Sequence, residues 1–222
     1  MHSMRKFSYL LILCGILVIL YPKANEWFND WQQNRLVNEA EQSYRDSETP
    51  SNDAELQSRY AKVTQLLAEE STLDEQAQTE GDNSAQAQQE VGGDVIALIE
   101  INKIDLKLPV LEGATKANMK HAAAHMKETT PLGEIGNSAI AAHRARKTGR
   151  LFNRLNEVGI GDIITVKTKN QDYNYEVYDI SIVEPTDVSV LKGNNKDSIL
   201  TLITCDPLVN PTHRLIIHAK LP

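Results

Sequence analysis

The chain contains the stretch Thr201-Leu-Ile-Thr-Cys205 and, nine residues after its cysteine, the stretch Arg214-Leu-Ile-Ile-His-Ala-Lys220. Both runs are apolar and rich in β-branched residues, as buried strands are. The first run ends with the only cysteine outside an N-terminal apolar segment, and the second begins with an arginine. If the two strands are neighbours, the thiol lies beside a permanent cation, which favours the nucleophilic thiolate. The stretch therefore predicts a reactive cysteine.

Charge is divided unevenly along the chain. Residues 1–92 carry 7 Lys and Arg against 15 Asp and Glu, whereas residues 93–222 carry 16 against 15. The excess acid lies in the front part, and the nearly neutral remainder gives no indication of nucleic-acid binding. The length of 222 residues fits one ordinary domain with an N-terminal extension.

The N-terminal extension begins with an uncharged apolar run over residues 7–20, preceded by two basic residues. No small-x-small cleavage site follows, so we predict an uncleaved signal anchor over residues 1–22. The protein then crosses the cell membrane once, with its basic N-terminal end in the cytoplasm and the remainder outside the cell. Three aromatic residues are suited to the outer membrane interface: Trp27, Phe28 and Trp31. A cleaved secretion signal is the alternative, because the run is short for a membrane span. Cys14 lies inside the run, so a disulfide with Cys205 is not expected.

Two further segments separate this anchor from the globular part. Apolar residues recur at three- and four-residue spacing through residues 23–73, which predicts an amphipathic helical stalk of two helices, the second beginning near Asn52. We favour a role for this stalk as a spacer between the membrane and the globular domain over a role as a surface that binds a partner protein. Residues 74–93 are acidic and predict a flexible linker. The catalytic domain then covers residues 94–222.

From residue 94 onward the pattern changes to short strands. We predict helical segments at Thr115–Ala124 and Leu151–Val158 and strands at Val95–Ile101, Ile104–Val110, Asn137–Ala142, Asp162–Lys169, Tyr173–Val183, Ser198–Thr204 and Arg214–Leu221. Pro109 indicates a strand edge or end. Many short strands with few helices favour a mainly β domain built as a closed or nearly closed barrel.

A cysteine nucleophile needs a proton donor for its leaving group and a group that stabilises the oxyanion. His143, at the end of an apolar run, is the histidine best placed for the first task. Arg214 suits the second, because its charge is permanent and its donors form a rigid fork. Spacing alone does not show that the three residues meet.

Three motifs together resemble the sortase family of Gram-positive cell-surface transpeptidases: Thr201-Leu-Ile-Thr-Cys205, Asn210-Pro-Thr-His-Arg214 and Ala141-Ala-His-Arg144. The family hallmark is TLxTC followed by an arginine, with a histidine on an earlier strand. The resemblance extends over residues 94–222 through Thr130-Pro-Leu-Gly-Glu134, Leu151-Phe-Asn-Arg-Leu155 and Glu184-Pro-Thr-Asp187. It implies a closed sortase-like β-barrel of about eight strands with short helices.

The resemblance also implies the chemistry. Cys205 is the expected nucleophile, His143 the acid and base, and Arg214 the residue that holds substrate, while Thr204 is a candidate for substrate contact. The enzyme is then a cysteine transpeptidase that cleaves an LPxTG-like sorting signal after its threonine. It transfers the surface protein through a thioester to an amine of a cell-wall precursor, lipid II or peptidoglycan.

Subclass and alternatives follow from what the sequence lacks. Pilin-polymerising sortases usually have a second, C-terminal membrane segment and an N-terminal lid with an Asp-Pro-aromatic element. The given sequence shows neither feature, which favours a class D-like or other housekeeping-type wall anchor over pilin polymerisation. A hydrolase that uses water as acceptor and a scaffold with an inert thiol are the competing classes. The reaction implies no cofactor, and no acidic cluster can be assigned to a calcium site, so calcium dependence stays open.

Two further groups of residues are candidates, one for a metal site and one for a surface that attracts anionic molecules. His121 and His125 are four apart on the predicted helix, but two imidazoles without a third ligand favour a structural role over a metal site. The basic residues that follow His143 form either a solvated surface or an attraction for anionic lipid and wall polymer; they are Arg144, Arg146, Lys147, Arg150 and Arg154.

Overall fold

A computed structural model of the chain describes residues 27–28, 30–38, 53–76 and 94–222. The predicted signal anchor at residues 1–22 lies outside the described residues, as does most of the linker predicted at residues 74–93. Residues 74–76 are described and are helical, so the linker does not begin at residue 74 as predicted. Among the helices that are described, none is both long and apolar enough to cross a membrane.

The domain from residue 94 onward is a closed barrel of eight antiparallel and parallel strands, as expected. Around the barrel the strands follow the order β1-β2-β3-β4-β7-β8-β6-β5, and β5 pairs with β1 to close it. The strands are β1 (Val95–Ile101), β2 (Leu106–Glu112), β3 (Ala123–His125), β4 (Gly136–Ala141), β5 (Ile163–Lys167), β6 (Asp172–Val183), β7 (Ser198–Asp206) and β8 (His213–Lys220). Pro109 lies where β2 has only β1 beside it, because pairing with β3 begins at Val110, so its missing N–H is tolerated.

Strand β7 is buried on both of its faces, which explains why its sequence is continuously apolar instead of alternating. Leu200 and Leu202 belong to the large cluster that fills the barrel. Ile203 and Cys205 belong to a second cluster on the outer face, together with Ala141 of β4. The outer cluster requires a cover, since a sheet face of this kind is otherwise exposed to water.

Helix α2 (Asp53–Gln76) provides that cover. Tyr60, Val63 and Leu67 are at most 2% exposed and lie on one side of the helix, three and four residues apart. They pack on the outer cluster. A helix was predicted to begin near Asn52 and to end by residue 73, and α2 runs from Asp53 to Gln76. Its packing differs from the expected role as a spacer, because its middle turns are part of the core.

Residues 27–28 and 30–38 are also helical (α1). Leu36 is buried against Leu111 and Ala122, and Asp30 forms ion pairs with Lys147 and Arg150. The aromatic residues at the start of α1 remain exposed; they are Trp27, Phe28 and Trp31. Their predicted place at a membrane interface stays a prediction.

The predicted helix at Thr115–Ala124 is too long. Helix α3 covers only Lys116–Met119, where the hydroxyl of Thr115 accepts a hydrogen bond from the Asn118 N–H at 3.2 Å. Ala123–His125 instead form β3 between β2 and β4, because ladder pairing on both sides outweighs local helix propensity. His121 and His125 thus do not share a helix face. The helix expected at Leu151–Val158 is likewise reduced to a 3₁₀ turn at Leu155–Glu157.

His121 is 5% exposed, and its Nδ1 atom is buried without a hydrogen-bond partner. Burial lowers the pKa of His121 to about 4, and the positive charges of Lys120 and Arg150 act in the same direction. The pKa of His121 is lower in the folded chain than in the unfolded chain. At pH values between the two, the unfolded chain therefore binds a proton at His121 that the folded chain does not. Stability is therefore lost as the pH falls from about 6.5 towards 4.

We expect His121→Leu to remove the acid-induced loss in the free energy of unfolding, which reaches about 3 kcal/mol once the pH falls below both pKa values. Urea unfolding followed by circular dichroism at pH 7.5 and pH 4.5 measures it. His213→Gln is the matched control, because the His213 side chain is 40% exposed. Equal acid destabilisation of the wild type and His121→Leu would contradict the assignment.

Candidate active site

The register of three neighbouring strands brings Cys205, Arg214 and His143 together. In the antiparallel ladder of β7 and β8, Cys205 is directly paired with Arg214, as expected from the sequence. In the parallel ladder of β4 and β7, Ala141 is paired with Ile203. His143 follows Ala141 by two residues and Cys205 follows Ile203 by two, so the histidine reaches the level of the thiol.

These residues lie on the outer side of the barrel wall. Along β7, Ile203 and Cys205 share the outer cluster, while Leu202 points into the barrel. Strand alternation places His143 on the same side as Ala139 and Ala141, which are also in the outer cluster. His143 is 5% exposed and the other two residues are 2% exposed. The three side chains therefore share one largely covered surface.

Four hydrogen bonds fasten the chain around His143 to β7. The hydroxyl of Thr204 donates to the carbonyl of Ala142 at 2.8 Å, and the N–H of Ala142 donates to the carbonyl of Ile203 at 3.1 Å. On the other side of His143, Arg144 donates from Nη1 to Asp206 Oδ1 at 2.6 Å and to the Cys205 carbonyl at 3.3 Å. The residues before and after the histidine are thus held by those before and after the cysteine.

Thr204 is fully buried, and its hydroxyl is engaged with the Ala142 carbonyl. It lies between Ile203 and Cys205 in the strand, so its side chain points to the opposite face from the thiol. This placement does not support the predicted contact of Thr204 with substrate. It indicates a positioning role instead, through the segment that carries His143.

Arg214 is a buried cation that is balanced by carbonyl groups. Its Nη1 donates to the His213 carbonyl at 2.9 Å, and its Nη2 donates to the Thr64 carbonyl of α2 at 2.6 Å. Within the described residues no carboxylate pairs with it, and its Nε has no hydrogen-bond partner. The cation beside Cys205 is therefore not neutralised by an acid, which favours negative charge on neighbouring groups.

Helix α2 contacts both members of the Cys205–Arg214 pair. The thiol of Cys205 donates to the Leu67 carbonyl at 3.4 Å, one turn along α2 from the Thr64 carbonyl that Arg214 binds. Burial raises the pKa of Tyr60 to about 12, and the charge of Arg214 partly opposes this rise. Sequence reasoning did not assign these α2 residues to the site. The sequence pattern that could have indicated them is the spacing of Tyr60, Val63 and Leu67. This spacing predicts a buried helix face but does not identify the surface against which the face packs.

The remaining candidates have structural partners. His125 contacts Glu112 through Nδ1 at 3.1 Å, while His213 contacts Glu184 and His218 contacts the Val190 carbonyl. Among the described residues no group of three or more His, Cys, Asp and Glu is placed to hold a metal ion.

The basic residues after His143 are mostly engaged in ion pairs. Arg144 pairs with Asp206, and Lys147 pairs with Asp30. Arg154 pairs with Glu157 through two hydrogen bonds of 2.8 and 2.7 Å. These pairs favour the ordinary interpretation of a solvated surface over a site that attracts anionic polymer.

Comparison with known proteins agrees with this geometry. The Sortase domain family model matches residues 99–222. Sortase A of Bacillus anthracis is 35% identical over 127 residues, which cover 57% of this chain and 60% of that protein. Sortase D of Bacillus subtilis is 26% identical over 163 residues, which cover 72% of this chain and 80% of that protein.

A solved structure of a Clostridium perfringens sortase D5 transpeptidase superposes with a TM-score of 0.54 and 28% identity, covering 72% of this chain and 99% of that one. Against the sortase A relatives of Bacillus anthracis, Listeria monocytogenes and Streptococcus agalactiae, the matches span 60%, 56% and 53% of the relatives' length. Because the Sortase domain family model matches more than half of the chain, the chain belongs to the sortase family.

Proposed function

We propose that this chain is a transpeptidase that cleaves an LPxTG-like sorting signal after its threonine and transfers the protein to an amine of a cell-wall precursor. The observation that carries the proposal is the pairing of Cys205 with Arg214 across β7 and β8, with His143 two residues beyond the end of the neighbouring strand β4. A nucleophile, a proton-transfer group and a fixed hydrogen-bond donor are the three groups that acyl transfer requires.

In the first half of the reaction, His143 takes the proton of the Cys205 thiol, and the resulting thiolate attacks the threonine carbonyl and forms a tetrahedral intermediate. The guanidinium of Arg214 donates a hydrogen bond to the negative oxygen of this intermediate. Its present bond to the Thr64 carbonyl supports this role, because a carbonyl oxygen already occupies its Nη2 donor. His143 gives a proton to the departing amide nitrogen, the carbon–nitrogen bond breaks, and a thioester remains on Cys205.

In the second half, an amine of the acceptor attacks the thioester carbonyl. His143 removes a proton from the attacking nitrogen, the carbon–sulfur bond breaks, and the Cys205 thiolate is restored. The product is an amide between the surface protein and lipid II or peptidoglycan. Water in place of the amine gives the hydrolase alternative with the same residues.

The proposal includes a location and a subclass. The uncharged run at residues 7–20 supports a single membrane anchor with the barrel outside the cell. The 26% identity with Sortase D of Bacillus subtilis extends over 72% of this chain, which supports a class D-like assignment.

Replacing any of the three aligned residues is expected to stop transfer without unfolding the barrel. Cys205→Ala abolishes it because no thioester forms, and His143→Ala and Arg214→Ala reduce it by at least about 10²-fold. Chromatography of a labelled LPxTG-like peptide incubated with the full-length chain in detergent, with and without amine acceptors, measures the products. Cys14→Ala and His213→Gln are the controls and retain activity.

Full transfer by Cys205→Ala or Arg214→Ala would refute the assignment of these residues. A peptide that is cleaved equally well with and without amines, and never joined to one, would refute transpeptidation in favour of hydrolysis.

Thr204 offers a test of positioning against substrate contact. Thr204→Val removes the hydrogen bond to the Ala142 carbonyl beside His143, so kcat falls about 10-fold while KM changes less than about 2-fold. Thr204→Ser keeps the hydroxyl and restores kcat. A rise in KM with unchanged kcat would show that the side chain contacts substrate after all.

A further inference from the structure

Helix α1 has two faces on opposite sides, and within the described part of the chain only one of them contacts the barrel. At 3.6 residues per turn, Asp30 and Leu36 project towards one side of the helix. Three aromatic residues project towards the other side: Trp27, Phe28 and Trp31. The first face is called the docked face here, and the second is called the aromatic face.

The docked face is attached to the barrel at both ends of the helix. Near the C-terminal end, Leu36 is 7% exposed and packs with Ala122. Near the N-terminal end, Asp30 forms ion pairs with Lys147 and Arg150. An apolar contact at one end and ion pairs at the other fix the direction of the helix on the barrel as well as its place.

The docked face lies at the end of the barrel that carries His143. Ala122 directly precedes β3, and Ala124 of β3 is paired with Ala141, two residues before the histidine. Lys147 follows the histidine by four residues, in the segment that leads to β5. Whatever the aromatic face of α1 binds is therefore brought to this end of the barrel.

The aromatic face is apolar and exposed. Trp27 is 70% exposed, and Phe28 and Trp31 are each 47% exposed. The ring centroids of Phe28 and Trp31 lie 6.0 Å apart, so the residues form one cluster. Both tryptophans of the chain belong to it. An indole has an apolar body and one N–H donor, which suits the boundary between lipid and water.

The place of this cluster in the chain indicates what covers it. The uncharged run ends at residue 20, and Trp27 comes five residues after Pro22. Five fully extended residues reach at most about 18 Å. The headgroup layer on each side of the hydrocarbon is about 5–8 Å thick. If the run at residues 7–20 is the membrane anchor, the cluster therefore lies within reach of the bilayer surface.

We propose that the aromatic face of α1 binds the lipid–water interface of the outer leaflet while the docked face holds the barrel. The end of the barrel with His143 is then turned towards the membrane, so α1 sets the orientation of the enzyme and not only its distance. This inference rests on the proposed function and its membrane anchor. It places the site beside an acceptor that is itself linked to lipid.

Tryptophan fluorescence of the full-length chain in phosphatidylcholine and phosphatidylglycerol vesicles tests the contact with lipid, because both tryptophans lie in the cluster. We expect lipids brominated near the headgroup to quench the emission at least about 2-fold more than lipids brominated at the chain ends, since an interfacial helix lies at the headgroup boundary. Emission that aqueous iodide quenches but neither brominated lipid quenches would overturn the proposal.

A dye at either end of the barrel measures its orientation. Thr148→Cys lies in the exposed segment after His143, and Asn170→Cys lies in the turn between β5 and β6 at the opposite end. Both are labelled in the full-length chain carrying Cys14→Ala and Cys205→Ala. Because the 12 residues of β6 span about 40 Å, we expect energy transfer to a headgroup-labelled lipid to be at least about 3-fold more efficient from residue 148. Equal transfer from the two positions would overturn the proposal.

Two substitutions separate the two faces of α1. Leu36→Asp and Asp30→Lys disrupt the docked face, so transfer from residue 148 falls at least about 2-fold while lipid quenching of the tryptophans changes less than about 2-fold. Adding Lys147→Asp to Asp30→Lys restores the ion pair and the transfer. Asn34→Asp is the matched control, because this position on the same helix is exposed, and it changes neither reading. Unchanged transfer in both disrupting variants would show that α1 does not orient the barrel.

These readings need no substrate, so they are independent of the transpeptidase assay. Lipid quenching and oriented transfer in a chain that never joins a peptide to an amine would support the membrane contact and refute the proposed reaction. A chain that alkaline carbonate washes from the vesicles would refute the anchor and overturn the inference that depends on it.

Discussion

The parallel pairing of β4 with β7 is the constraint on which the site depends. Local sequence places a cysteine at the end of one strand and an arginine at the start of the next, and an antiparallel hairpin is sufficient to pair them. The histidine comes from a distant part of the chain and reaches the level of the thiol because Ala141 lies opposite Ile203. A slip of one residue in this ladder would turn His143 to the other face. Thr204 and Arg144 secure the register where the ladder ends.

A second constraint arises from the charge of Arg214. A guanidinium cannot be buried without acceptors, and within the described chain it has carbonyl oxygens where many buried arginines have a carboxylate. Neutral acceptors leave its charge available to an oxyanion. One of the two acceptors belongs to α2, so the helix that shields the cation from water also satisfies it. The contact between Arg214 and α2 thus covers the site and also satisfies its charged residue.

Much of this architecture was predictable because it depends on local patterns. The β-branched runs at 198–204 and 214–221 predicted two strands, which the structure pairs with each other. The three candidate residues were predicted from the resemblance of the motifs to sortases and not from spacing alone. Strand β3 was missed because Ala123–His125 lies in an alanine-rich stretch whose local preference is helical, and only pairing with β2 and β4 decides its state. The docking of α2 was missed for a related reason. Apolar spacing shows that Tyr60, Val63 and Leu67 are buried, but it contains no information about the surface that buries them.

The central claim is that the Cys205 thiol forms an acyl bond with a sorting signal. Mass spectrometry of the full-length chain, mixed with a panel of LPxTG-like peptides and digested under acidic conditions, tests it most directly. The account predicts an adduct on Cys205 equal in mass to the peptide up to its threonine, which disappears when an amine acceptor is added. An adduct on another residue, or none on Cys205 with any peptide, would contradict it.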